Sequence, residues 1–121
     1  MAELIKTAGK PVGKAVFNGQ LFLVDYYPGA VPSSKKTDRV KGEVYQFEES
    51  DNVFKLLDAY EEFDPNSPGT SEFVRKKVMV QLLKNNTPIR AWVYLFNHPV
   101  QDLQPIETGS FEHFLLQKSR A

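Results

Sequence analysis

Four carboxylates fall within one short stretch, Asp58, Glu61, Glu62 and Asp64, all side chains able to exchange protons. Like charges crowd one another there, and a helix C-terminus adds partial negative charge; each effect raises a carboxyl pKa. Glu61, with Asp58 three residues before it and Tyr60 beside it to remove water, is best placed for acid–base chemistry near neutrality. The competing reading is a helix end kept soluble by acids, which is what charge clusters usually are. From the residues alone both readings stand.

Other chemistries find less support. The chain has no cysteine, so disulfides, thiolate nucleophiles and thiolate metal ligands are absent together. His98 and His113 are far apart and neither has a ligand pattern nearby, so no metal site is expected. Gly9, Gly13 and Lys14 are one residue short of phosphate-loop spacing, with Ala15 where a Ser or Thr belongs. No serine stands in a Gly-x-Ser-x-Gly elbow. Fifteen basic and fifteen acidic residues cancel, leaving no field to gather a polyanion, so nucleic acid is not an expected partner. Lys35-Lys36 and Arg75-Lys76-Lys77 read as solvated faces, and Arg75 as an exposed strand arginine whose pairing with a carboxylate is the lesser alternative.

The elements that must position these residues are mostly short strands in one domain spanning 1–121, a length that can bury a core at 41% hydrophobic content. Met1 to Ala8 is expected as a brief helix stopped by Gly9 and Pro11. Val12 to Phe17 and Gln20 to Asp25 flank Asn18-Gly19, a dipeptide suited to a two-residue hairpin turn. Tyr26 to Asp38, with its prolines, glycine, serines and lysines, reads as a surface loop. Arg39 to Phe47 resumes strand character, with Gly42 marking a bulge or close approach. From Asn52 to Glu61, Val53, Leu56, Leu57 and Tyr60 recur at helical period, with Asp51 as N-cap. Glu62 to Ser71 is a second loop, and Phe73 to Leu83 with Ile89 to Phe96 form a long hairpin across Asn85-Asn86. The tail from Gly109 is expected to close as a short helix through Phe111, Phe114 and Leu115. Strands joined by short turns are antiparallel, so the class is α+β or barrel, mainly antiparallel, with one principal helix.

Five segments in order, Asp25-Tyr26-Tyr27-Pro28-Gly29, Val40-Lys41-Gly42-Glu43-Val44-Tyr45, Leu57-Asp58-Ala59-Tyr60-Glu61, Arg75 within a strand, and Ala91-Trp92-Val93-Tyr94, resemble the γ-glutamylcyclotransferase-like family, also called avirulence-induced-gene-like. The resemblance runs from Val12 to Phe111 and implies a small β-barrel. It implies Glu61 as the catalytic acid–base and a pocket walled by Tyr27, Pro28 and Gly29, with the Tyr94 hydroxyl as a further contact. Glycine after proline lets backbone approach a ligand, though such a pair is also a common loop corner. A core tyrosine with a satisfied hydroxyl is the alternative for Tyr94.

The family opens with a strand and a Tyr-Gly-Thr-Leu or Tyr-Gly-Ser-Leu turn whose amides hold the γ-glutamyl group. No such motif occurs here, so the chain is expected to begin after that first strand. A barrel short of one strand exposes two edges, which invites a homo-oligomer. The reaction implied is cyclisation of γ-glutamyl amines or γ-glutamyl amino acids to 5-oxoproline, with neither metal nor cofactor. A non-catalytic binding or assembly module of the same fold is the alternative. No run of about 18 apolar residues offers a membrane span, and residues 1–10 hold no signal-like apolar block, so the expected location is cytoplasmic.

Overall fold

The computed structural model describes residues 9–24, 27–47, 50–60, 66, 68–106 and 110–117. The helix expected over Met1 to Ala8 lies outside them. Among the described residues the class is α+β, mostly antiparallel strands with a single α-helix. In chain order the strands are β1 (Lys10–Phe17), β2 (Gly19–Val24), β3 (Tyr27–Pro32) and β4 (Val40–Phe47), then helix α1 (Ser50–Tyr60) and a 3-10 turn, Pro68–Thr70. After them come β5 (Phe73–Leu82), β6 (Pro88–Phe96), β7 (Gln104–Ile106) and β8 (Ser110–Gln117).

Five strands pair in the order β1-β4-β8-β6-β5, and β5 pairs back to β1, so they form a ring; β3-β2-β7 make a separate sheet. The narrowest joint of the ring is between β6 and β8, the single pair Trp92↔Leu115. All ring pairings are antiparallel except β4 with β8, which is parallel. β8 is where the tail was expected to be helical: Phe111, Phe114 and Leu115 fit a helical period, but open backbone edges on β4 and β6 are better satisfied by a strand. With β8 in place, no strand of the ring has a free edge among the described residues. The expected pair of uncovered barrel edges is therefore not found; the free edges are β3 and β7 of the smaller sheet.

The hairpin expected at Asn18-Gly19 is also corrected. β1 pairs with β4 and β5, whereas β2 pairs with β3 and β7, so the dipeptide is a corner between sheets. Neither residue has positive φ. Asn18 Nδ2 instead donates to the carbonyls of Lys35 and Asp38 at 2.6 and 2.7 Å. A Cβ on Gly19 would lie 2.5 Å from Val31 O and 2.6 Å from the Phe17 ring, so close packing, not turn geometry, asks for glycine there. The expected loop Tyr26 to Asp38 contains β3 despite Pro28 and Pro32, which an edge strand tolerates because its outer amides need no partner. Gly42 adjoins a register shift at Lys41/Gly42 against β8, as expected of a bulge. β5 and β6 pair from Phe73↔Phe96 to Gln81↔Pro88, the expected hairpin. Asn86 takes φ 55 in its turn, a conformation asparagine tolerates.

Strand alternation sorts the apolar residues into two cores. One is lined by small or β-branched side chains, Ala15, Val40, Val44, Val80, Ala91 and Val93 among them, as suits the narrow interior of a ring of few strands. The other lies between the outer face and α1, where Tyr45, Phe47, Phe54, Leu57, Phe73 and Tyr94 meet, with Trp92 and Phe96 against them. β6 serves both: Ala91, Val93 and Leu95 enter the first, Trp92, Tyr94 and Phe96 the second. Among the described residues no helix is long and apolar enough to cross a membrane.

Candidate active site

The face that α1 presents to the strands is Phe54, Leu57 and Asp58, spaced i, i+3 and i+4. The stripe expected through Leu56 is turned by part of a helical step, since Leu56 is 58% exposed. Asp51, expected as N-cap, is the second residue of the helix, one position inside its start at Ser50. The rotation brings Asp58 inward, and it is only 8% exposed. A carboxylate so placed must be compensated, and two adjacent strands supply the donors. Arg75 of β5 and Tyr94 of β6 are register partners, so their side chains leave the hairpin next to each other on the helix side. Tyr94 Oη donates to Asp58 Oδ1 at 2.5 Å, and Arg75 donates from Nε to Oδ1 at 2.9 Å and from Nη2 to Oδ2 at 3.3 Å.

The guanidinium also lies over two aromatic rings. Its carbon lies 4.2 Å from the Phe54 ring centroid and 4.8 Å from that of Trp92, and the two rings meet edge to face at 5.9 Å. Cation–π contact of this kind suits arginine, a planar and weakly hydrated cation. Among the described residues Trp92 Nε1, which is buried, has no hydrogen-bond partner. Lys77 Nζ stands 5.5 Å from the Trp92 ring. Beside the cluster, Tyr45 Oη donates to Glu43 Oε2 at 3.1 Å. Burial first, then that hydrogen bond and the Glu43 charge, push the Tyr45 phenol above its usual range. Among the described residues no three His, Asp or Glu side chains converge as a metal site would need.

This segment lies within a match to a family model described as gamma-glutamyl cyclotransferase, AIG2-like, over residues 1–113. The chain belongs to this γ-glutamylcyclotransferase family. It is similar to the gamma-glutamylcyclotransferase family protein YtfP of Escherichia coli (strain K12), 32% identical over 98 residues that span 80% of this chain and 71% of the relative. The corresponding protein of Citrobacter rodentium is also 32% identical over 98 residues, spanning 80% of this chain and 70% of the relative. No solved structure matches at a significant level.

Of the residues that the γ-glutamylcyclotransferase resemblance singled out, Glu61 lies outside the described residues, as do Glu62 and Asp64. Tyr27 opens β3 and pairs with Val24, while its side chain is likewise outside the description. Pro28 is exposed on β3, and Gly29 is buried. Both belong to a strand, not to a turn. A Cβ on Gly29 would sit 2.9 Å from Val24 Cγ2 and 3.1 Å from Phe96 Cβ, so glycine there lets β3 lie against the end of β6. Tyr94 is 3% exposed, with its hydroxyl on Asp58. Arg75, expected to be exposed, is partly buried and paired. Its charge offsets that of Asp58.

Asp58 and Arg75 are the site residues that sequence reasoning undervalued in this family member. A signal existed for the first: a stripe drawn through Phe54 and Leu57 has Asp58 in it, and a carboxylate on an apolar helix face calls for a cation. For Arg75 the alternation of β5 places it opposite Val74, which leaves open whether the outer face is bare or covered by a helix.

Proposed function

We propose that the protein is a γ-glutamylcyclotransferase that converts γ-glutamyl amines or γ-glutamyl amino acids to 5-oxoproline and a free amine, with Glu61 as general base and acid, and that its strand ring is the barrel of that family. The carrying observation is the charged anchor in the last described turn of α1, three residues before Glu61, in a chain that belongs to the family. Glu61 takes a proton from the substrate α-ammonium. The freed α-amine attacks the γ-carbonyl carbon, forming the ring C–N bond; the bond from that carbon to the leaving nitrogen breaks as the same carboxyl group returns the proton, and the second proton shed by the ring nitrogen as it becomes an amide leaves on the product amine as its ammonium. Atoms balance without any co-reactant. Backbone N–H groups are the usual partners of the transient oxyanion, and one such donor is worth about 10²–10³ in rate. Tyr27, Pro28 and Gly29 form the substrate wall in this reading, while Tyr94, its hydroxyl held by Asp58, supports the site from behind without contacting substrate.

Incubation of the purified chain with a panel of γ-glutamyl amines and γ-glutamyl amino acids should release 5-oxoproline, detected by mass spectrometry, and the Glu61→Gln protein should release none. Equal release by the two proteins sinks the mechanism. Saturable binding of a γ-glutamyl compound without product marks the chain as a non-catalytic module of the same fold.

A further inference from the structure

A buried ion pair is seldom the most stable way to dock a helix, since apolar residues of similar volume are often as good or better. The residue at position 58 packs where Phe54 and Leu57 pack, and a leucine there would suffice for docking alone. Instead it is a carboxylate tied to two strands at once, by Tyr94 from β6 and by Arg75 from β5. The Arg75 guanidinium itself lies over the Phe54 and Trp92 rings. Helix ends fray because their last carbonyls lack partners within the helix, and this tie acts on the turn from which the chain proceeds to residue 61. We infer that Asp58, Arg75 and Tyr94 are positioning residues for Glu61, holding the helix end that delivers it while keeping the charge beside it near zero. None of the three touches the reacting atoms.

The inference rests on the acid–base reading of Glu61. Among the described residues, the charged and titratable groups on this face include Arg75 and Lys77 of β5, Tyr94 and Arg90 of β6, and Lys41, Glu43 and Tyr45 of β4. On the helix itself, Lys55 is exposed. Breaking the ion pair from either end removes the same contact but leaves opposite charges behind. Asp58→Asn leaves Arg75 uncompensated, and a nearby cation lowers a carboxyl pKa. Arg75→Met leaves Asp58 uncompensated, and a nearby anion raises it. A merely structural role moves neither in a sign-dependent way.

The decisive measurement is a carbon-13 NMR titration of the Glu61 carboxyl in the full chain, its signal identified by its loss in Glu61→Gln. The midpoint should fall by about half a unit or more in Asp58→Asn and rise by a similar amount in Arg75→Met. Tyr94→Phe keeps both charges, so its midpoint should stay close to that of the parent while kcat drops about tenfold at nearly constant KM, the mark of a displaced catalytic group. Midpoints that stay put, or move the same way in the two charge variants, overturn the inference even when Glu61→Gln is inactive. Should Arg75→Met not fold, the downward shift in Asp58→Asn decides alone. A Glu61→Gln protein as active as its parent removes the acid–base reading and this inference together.

Discussion

Two aspartates in this molecule have nearly the same bonds in opposite surroundings. Asp38, between β3 and β4, accepts the Ser33 hydroxyl at 2.5 Å and the Gln20 side-chain amide at 3.0 Å. Asp58 accepts the Tyr94 hydroxyl at 2.5 Å and the Arg75 guanidinium at 2.9 Å. The loop carboxylate is content with a neutral amide because water reaches that bond and solvates the charge. The helix carboxylate is 8% exposed and has a full cation, itself shielded by two aromatic rings. The geometry of the bonds does not distinguish the two sites; the solvent does, and the cost of losing a partner should differ accordingly.

The largest effect should come from Arg75→Met. It strands a carboxylate in a partly dry site and removes the cation that lies over the Phe54 and Trp92 rings. Loss of one partner of a buried pair costs about 3–5 kcal/mol, and the low end applies because both side chains keep some contact with water, 18% and 12% exposed. Urea unfolding should show a loss of about 3 kcal/mol, most of it recovered in Asp58→Leu/Arg75→Met, where both charges are gone. A double variant as unstable as the single one would mean that the rings and not the charges carry the cost.

The same contrast explains how far the sequence could be read. Signals that act within a few residues were legible: the β5–β6 hairpin around Asn86, the helix, the bulge by Gly42, and the alternation along β6 that puts Trp92 and Tyr94 on one face. What misled were local signals overruled at long range. Asn18-Gly19 has the composition of a hairpin turn, yet the strands on either side belong to different sheets, and Asn18 spends its amide on Lys35 and Asp38 carbonyls. The tail has helical spacing, yet it completes the ring beside β4 in the parallel sense, a pairing that no local pattern encodes. Asp58 and Arg75 failed to announce themselves for a related reason: a lone charge in an amphipathic segment is a surface residue until a second element covers it. Family motifs brought out Glu61 and its segment where periodicity alone left the solvated reading open.

Tyr45 and Glu43 offer an intermediate case, a buried hydroxyl on a carboxylate at 3.1 Å. Tyr45→Phe should cost about 1 kcal/mol at neutral pH, the ordinary worth of such a bond. The phenol is raised above its ordinary value of 10.0 by burial first, then by the hydrogen bond to Glu43 and the Glu43 charge. The folded state thus holds this proton more tightly than the unfolded one, so the stabilisation is complete below about pH 10 and is lost as pH rises through the raised folded value. Urea unfolding series at increasing alkaline pH should show the gap between parent and Tyr45→Phe closing. A gap that stays constant would mean that the phenol titrates alike in both states.

The smallest effect should come from Gln20→Ala, the counterpart at Asp38 of removing Arg75. The amide lost is exposed, and water can take its place on Asp38 Oδ2, which retains the Ser33 hydroxyl. Surface substitutions of this kind stay within about 0.5 kcal/mol, several times less than the loss expected at Arg75. The corner should hold because Asn18 still donates to the carbonyls of Lys35 and Asp38. A Gln20→Ala loss approaching that of Arg75→Met would show that the loop is not solvated as its exposure implies, and the distinction drawn between the two aspartates would fail at its cheapest point of test.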